Sequence, residues 1–293
     1  MFELDAKLLK RLVAKPGKKI SLAKDFSSSF DAGLSRDDAQ TALRESVSRL
    51  AELQDKLYAQ NTYSLLVIFQ AMDAAGKDGT IKHVMSGLNP QGCQVFSFKA
   101  PSPEELDHDY LWRAAKALPE RGRFGIFNRS YYEEVLVVRV HPEFLLGQNL
   151  PSSAKGDKIW KERFRQINHF ERHLTENGTQ VLKFFLNVSK DEQKKRFLER
   201  IEQPEKNWKF GPQDVSERGH WDEYMAAYQE CFRETSTEWA PWHIIPADDK
   251  AFMRVAVAGV ICRAMEKLKL RYPAIAPEKR QLLLDAKAKL EAE

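Results

Sequence analysis

The chain has 293 residues, 43% of them hydrophobic, which suffices for one large α/β domain or two small ones. Its 46 basic and 42 acidic residues leave a formal charge of only +4, which excludes a polybasic tail protein and requires any anion specificity to come from local clustering. Cys93, Cys231 and Cys262 lie far apart without metal or disulfide spacing, the N-terminus lacks a signal-peptide core and no uncharged apolar run reaches bilayer length, so a reduced, cytoplasmic chain with no membrane partner is expected.

Residues 1–35 join a short apolar pattern to "GKK" and "SSSFDAGLS", which predicts an extended or loosely packed arm. From Arg36 to Gln60 the positions Ala39, Leu43, Val47, Leu50, Leu53 and Leu57 recur at three and four, as on a helix, with Ser35 as its cap. Strands and helices then alternate. "SLLVIFQ" is continuously apolar, as in a strand buried on both faces. "TIKHVMSGLN" reads as a helix stopped by Pro90, and "CQVFSF" as a second strand with Cys93 at its buried start. "SPEELDHDYLWRAAKALP" predicts one helix, with Ser102 as cap, Pro103 at its first position and Glu105 completing a capping box. "RFGIFN" is a third strand. "YYEEVLVVRVHPEFL" carries the β-branched run of a strand but follows one too closely to be its parallel partner, so a helix is expected.

"DKIWKERFRQINHFERHLTENG" is amphipathic, with Ile159, Trp160, Phe164, Ile167, Phe170 and Leu174 as its buried stripe and Gly178 as its stop. "TQVLKFFLNV" is a fourth strand and "SKDEQKKRFLERIEQ" a helix capped by Ser189. A basic and aromatic segment, "PEKNWKFGPQD", leads into a helix over about residues 215–234. "WHIIPA" is a fifth strand, "DDKAFMRVAVAGVICRAMEKLKL" a long helix, and "PEKRQLLLDAKAKLEAE" a last helix expected to pack on the surface. This alternation implies a mostly parallel sheet covered on both faces, with ligands beyond the carboxyl ends of its strands.

Three constellations fall near those ends. In "FQAMDAAGKDGT", Gly76 permits close backbone approach to a phosphate, Lys77 supplies a cation and Thr80 a hydroxyl at a helix start. The loop departs from G-x-x-x-x-G-K-[ST] at Ala71 and Asp78, and an ordinary strand–helix turn with a surface lysine is the plain alternative. Asp73 is either a turn aspartate or a ligand for a hard cation such as Mg²⁺. In "FNRSYYEEV", Arg129 projects toward the same crevice and Glu133 and Glu134 offer adjacent carboxylates, with a solvated charge cluster as the competing reading. Arg196, Arg200, Lys206 and Lys209, with Trp208 and Phe210, suit a lid closing over phosphates and a base, although a solvated basic face is the commoner case. Lys82 and Arg113 add charge nearby. The dispersed bases argue against a nucleic-acid partner. No H-E-x-x-H or G-x-S-x-G pattern appears.

"MDAAGKDGTIKHVMSGLNPQGCQVFSFKAPSPEELDHDYLWR", "GRFGIFNRSYYEEVLVVRVHPEFL", "FFLNVSKDEQKKRFLERIEQPEKNWKF" and "WDEYMAAYQE" together resemble the polyphosphate kinase 2 family, from about Leu65 to Arg271. The resemblance implies a P-loop kinase-like three-layer sandwich around a five-stranded parallel sheet. A helical N-terminal extension would occupy residues 1–60, the catalytic domain 61–275 with a lid over about 196–235, and a C-terminal helix 276–293. It also implies phosphoryl transfer between inorganic polyphosphate and adenine, or also guanine, nucleotides. Mg²⁺, with Mn²⁺ as a substitute, and a dimer or tetramer are further implications.

Asp73, Gly76 and Lys77 match the family's modified Walker A loop, with Asp73 on the metal and Lys77 on the transferred phosphate. Ala75, Asp78, Gly79 and Thr80 belong to the same phosphate site, and Arg129 matches the family's Walker B arginine. Lys82, Arg113, Arg196, Arg200 and Lys209 are expected to meet polyphosphate or nucleotide phosphate. Asn128 replaces the aspartate of the common "DRS", so a second metal ligand has to come from Glu133 or Glu134, and the form resembles the subgroup using both AMP and ADP. Two rivals remain at this point: an ATP-dependent nucleoside-monophosphate kinase, and a non-catalytic protein binding polyanions or nucleic acid.

Overall fold

The structure, a computed structural model, describes residues 5–154, 156 and 158–293. The apolar runs form β1 (Ser64–Gln70), β2 (Cys93–Ser97), β3 (Phe124–Asn128), β4 (Thr179–Asn187) and β5 (Trp242–Pro246), in the order β2-β3-β1-β4-β5. Every pairing is parallel; Val67 of β1 stands between Ile126 and Leu182. β1 is buried at each position, as a central strand between two helical layers must be. The chain leaves β1 toward the β2 edge and leaves β4 toward the β5 edge, which opens a crevice at their carboxyl ends.

Before the sheet come α1 (Ala6–Arg11), α2 (Leu22–Asp25) and α3 (Arg36–Gln60). α4 (Lys77–Val84) follows β1, and α5 (Pro103–Leu106) and α6 (Trp112–Lys116) follow β2. α7 (Val137–Val140) and α8 (Ile159–Glu176) join β3 to β4. α9 (Lys190–Glu202), α10 (Pro212–Gly219) and α11 (Trp221–Thr235) join β4 to β5, and α12 (Lys250–Lys267) and α13 (Pro277–Glu291) end the chain. The expected caps form: the hydroxyls of Ser35 and Ser189 accept the N–H groups of Asp38 and Glu192, each at 3.1 Å. Ser102 and Glu105 close their capping box.

Several expectations change. The N-terminal arm is packed, not loose: Leu9, Leu12, Ala14, Ile20 and Leu22 are buried, and Ala14 N–H donates to the Trp242 carbonyl at 2.9 Å. The helix expected after β2 is broken between α5 and α6, where Asp109 turns its carboxylate back to accept Leu111 N–H at 2.9 Å. The helix before β5 is likewise two, divided at His220 after Gly219. "YYEEVLVVRVHPEFL" is helical, but as 3₁₀ turns Tyr131–Val135 and Pro142–Gly147 around the single turn of α7. β2 is an edge strand with Val95 exposed, so Cys93 begins a half-covered strand. α13 buries no residue, and Leu282, Leu283, Leu284 and Leu290 stay exposed. Of the expected lid, the turn Pro204–Lys209 and α10 bury nothing, whereas α9 and α11 contribute core residues. Among the described residues, no helix is long and apolar enough to cross a membrane.

Candidate active site at the carboxyl ends of β1 and β3

β1 delivers the chain into a tight loop that turns twice through left-handed backbone, at Ala74 (φ 59°) and Gly76 (φ 112°). A Cβ on Gly76 would meet the Met253 methyl carbon at 3.2 Å, so both conformation and space favour glycine. Lys77 opens α4, and its ammonium donates to the Ala71 carbonyl at 2.9 Å. Burial pulls the Lys77 pKa down and Arg129 adds to this, while Asp73, Glu133 and Asp78 oppose it. A cation partly stripped of water beside an open crevice is set to receive an anion. Asp78 and Gly79 sit in the first turn of α4, and Ala75 is buried beneath the loop.

Two residues expected to meet substrate brace the loop instead. Arg196 is buried, and its guanidinium donates to the carbonyls of Ala74 (3.1 Å), Ala75 (2.8 Å), Ala247 (2.6 Å) and Asp248 (3.0 Å) and to Glu192 (2.8 Å). These bonds use all five of its donors, leaving none for a phosphate. Thr80 is fully buried, with its hydroxyl on the Gly76 carbonyl at 3.0 Å. Gln193 adds a third brace, donating to the Asp73 carbonyl at 2.9 Å.

β3 supplies the facing wall. The Arg129 N–H donates to the Phe69 carbonyl at 3.0 Å with φ at 62°, a left-handed turn that a non-glycine residue adopts only under constraint. Its guanidinium reaches Asp73 at 3.0 Å. Asn128 donates its amide to Asp78 at 2.7 Å; a carboxylate there would face a carboxylate. The two adjacent glutamates separate. Glu133 accepts from Gln70 at 2.7 Å and lines the crevice. Glu134 is largely buried, and a single carboxylate oxygen carries the bonds from Arg163 at 2.7 Å and Gln148 at 2.9 Å, while the residue also lines the apolar side of the crevice.

Two cavities meet here. One, ≈ 250 Å³, is lined by Asp73, Arg129, Glu133, Glu217, Arg218 and Tyr228. The other, ≈ 460 Å³, is more apolar, with Phe98, Leu106, Arg113, Val137 and Phe144 around the same Arg129 and Glu133. Arg113 is held there by the Lys99 carbonyl at 2.8 Å and lies over the Phe98 ring at 5.4 Å. Lys82 is exposed on α4, and Lys209 is exposed beside Trp208. Arg200 makes a long 3.4 Å contact with the Lys209 carbonyl. Sequence reasoning missed Gln70, Gln193, Arg218, Tyr224 and Tyr228. Four are uncharged, and all but Gln70 come from α9 to α11, far along the chain. Only the end of the apolar run at Gln70 gave a signal.

The donors fit Mg²⁺. Asp73 and Glu133 offer carboxylates, and the buried side-chain oxygen of Gln70 next to Glu133 has no hydrogen-bond partner. Among the described residues, no three His, Cys, Asp or Glu side chains group into a metal cage. One or two carboxylates plus substrate phosphates and water is the usual Mg²⁺ arrangement.

Comparison with known proteins agrees with this architecture. The family model described as polyphosphate kinase 2 matches residues 33–273. The chain is 54% identical to the ADP-polyphosphate phosphotransferase of Rhodopseudomonas palustris, covering 94% of this chain and 95% of that one. It is 45% identical to the AMP/ADP-polyphosphate phosphotransferase of Meiothermus ruber, over 85% and 88% of the two chains. The crystal structure of polyphosphate kinase 2 from Arthrobacter aurescens TC1 superposes with a TM-score of 0.83 at 40% identity, covering 93% of this chain and 98% of the other. The P-loop kinase-like core, the altered phosphate loop and the extent of these matches place the chain in the polyphosphate kinase 2 family.

Proposed function

We propose that this crevice transfers the terminal phosphoryl group of inorganic polyphosphate to AMP and ADP, reversibly and with Mg²⁺. The observation that carries the reading is the convergence of Arg129, Asp73 and Glu133 where a polar cavity meets an apolar one, with Lys77 close enough to feel all three charges. Gly76 and Lys77 grip the transferred group, and Arg129 neutralises charge between donor and acceptor. Asp73 and Glu133 would hold the metal. When bound, Mg²⁺ would supply positive charge that offsets the repulsion between two polyanions. The acceptor base fits the cavity between Phe98 and Phe144, with Arg113 at its wall. No general base is required, because a nucleotide phosphate oxygen is already anionic.

Asn128 supports use of both acceptors. Its Asn-Arg-Ser form resembles that of the subgroup using both, and the Meiothermus ruber relative is named an AMP/ADP-polyphosphate phosphotransferase. We also infer a homo-oligomer: α13 buries no residue and leaves Leu282, Leu283, Leu284 and Leu290 exposed, apolar surface that a second copy can cover. The reading is tested with purified protein, Mg²⁺, polyphosphate and AMP, ADP or GMP in separate reactions. It predicts ATP from ADP, and ADP followed by ATP from AMP. Transfer from ATP but not from polyphosphate would replace it with the nucleoside-monophosphate kinase, and transfer from neither with a binding protein.

A further inference from the structure

A fully buried set of charges lies directly beneath the turn that carries Arg129 and Glu133. Lys183 stands in the middle of β4, opposite Ile68 of β1 and Trp242 of β5. Its ammonium donates to Glu171 of α8 at 2.6 Å, to the Tyr132 hydroxyl at 2.8 Å and to the Thr235 carbonyl at 2.7 Å. Glu171 also accepts from the hydroxyls of Tyr131 (2.9 Å) and Tyr132 (2.7 Å). Lys183 and Glu171 are wholly inaccessible. Every donor of the lysine is therefore used, and none of these groups reaches the crevice.

A buried ion pair is a poor source of stability, because well-packed apolar residues of the same volume usually do as well. Its value has to be sought in what it orients. Tyr131 and Tyr132 are the second and third residues after Arg129. Their rings are wedged between Phe170 (5.5 Å from Tyr131) and Trp242 (4.7 Å from Tyr132). The Ser130 hydroxyl accepts Tyr132 N–H at 3.2 Å, and its carbonyl accepts Glu133 N–H at 3.1 Å. With both tyrosine hydroxyls pinned, the short turn has no freedom to relax, and Arg129 is kept in its left-handed conformation.

We propose that Glu171, Lys183, Tyr131 and Tyr132 are positioning residues that aim Arg129 at the transferred phosphate by anchoring the turn from below. The proposal rests on the reading of the crevice given above. Burial, reinforced by Glu171, raises the pKa of both tyrosines and keeps their hydroxyls as donors, while burial lowers that of Lys183 and Glu171 opposes the shift.

The test compares Tyr131→Phe, Tyr132→Phe and the charge-neutral double variant Glu171→Gln/Lys183→Met with wild type. Each is measured for kcat, for KM of nucleotide and of phosphoryl donor, and for its urea midpoint, in wild-type and Arg129→Ala backgrounds. Polyphosphate and ATP are both supplied as donors, so failure of the polyphosphate reading leaves this test standing. The expected result is a loss of kcat of about tenfold in each folded Tyr→Phe variant, with KM within about twofold of wild type. In the Arg129→Ala background the same changes should lower kcat by less than about twofold. A purely structural role would shift the urea midpoint and leave kcat per folded molecule alone; that result overturns the proposal. So does a kcat loss as large without Arg129 as with it, and a wild type that transfers from neither donor overturns both readings.

Discussion

Two sets of charges flank the turn after β3, and they are built in opposite ways. Below it, Glu134 with Arg163 and Glu171 with Lys183 are buried, short-bonded and saturated by further partners such as Gln148 and the Thr235 carbonyl. Above it, the Asp73–Arg129 pair is partly exposed, Glu133 is bonded to a neutral amide, and Lys77 rests on a backbone carbonyl. In the lower set the cations are spent within the protein, and only Glu134 keeps a carboxylate oxygen on the apolar side of the crevice. The upper set keeps open donor and acceptor sites, and Asp73, Arg129 and Glu133 line one cavity. Charge alone therefore does not separate the proposed site residues from the structural ones; unspent hydrogen-bonding capacity is the better guide.

The comparison breaks first at Asp73. Asp73→Asn should lower phosphoryl transfer by about 10³-fold, because the carboxylate proposed to hold Mg²⁺ is lost. Its unfolding free energy should change by less than about 1 kcal/mol, since the ion pair with Arg129 is partly exposed. Initial rates and urea titration check both halves. The adjacent glutamates give the sharpest contrast. Glu134→Gln should cost about 4 kcal/mol of stability by leaving buried Arg163 uncompensated. Glu133→Gln should instead lower kcat about 100-fold with stability nearly unchanged. The reverse pattern would invert the assignment.

His243 probes the core side by pH. Burial pushes its pKa down to about 4, against a bond to the Lys183 carbonyl that raises it. The unfolded chain takes up the proton near pH 6.5, before the folded one does, so the stabilisation is complete above that value. It is lost as pH falls toward 4, by roughly 3 kcal/mol. Urea midpoints between pH 7 and 4 should fall less steeply in His243→Asn than in wild type. The smallest effect is expected at the lid. Lys209→Ala, an exposed cation, should raise KM for polyphosphate about threefold and weaken its dependence on salt.

The sheet was legible because each strand is an apolar run of strand length bounded by turn residues, and the caps at Ser35, Ser102 and Ser189 were legible because capping is local chemistry. The helix break at Asp109 was not, since a side-chain turn competes with an otherwise helical pattern, nor was the one at His220, where the chain breaks after Gly219 without a side-chain cap. In the site, Asp73, Gly76, Lys77 and Arg129 stood out by position at strand ends. Arg196 was misread because sequence shows that a residue is charged but not what satisfies it. Gln193, Arg218 and Tyr228 line or brace the crevice from helices more than 100 residues beyond the loop, a closeness that only the strand order creates. One clue went unused: Lys183 interrupts the apolar run of β4, and a lysine buried there requires a partner.

The central claim is that the crevice accepts polyphosphate as donor. Polyphosphate labelled in its terminal phosphoryl group, mixed with an excess of the protein, ADP and Mg²⁺, tests it in a single turnover. The account predicts that the label appears in the terminal phosphate of ATP, and that Asp73→Asn abolishes this without unfolding the chain. Label that remains on polyphosphate or is released as inorganic phosphate, while ATP serves as a donor to AMP in the same preparation, would contradict it.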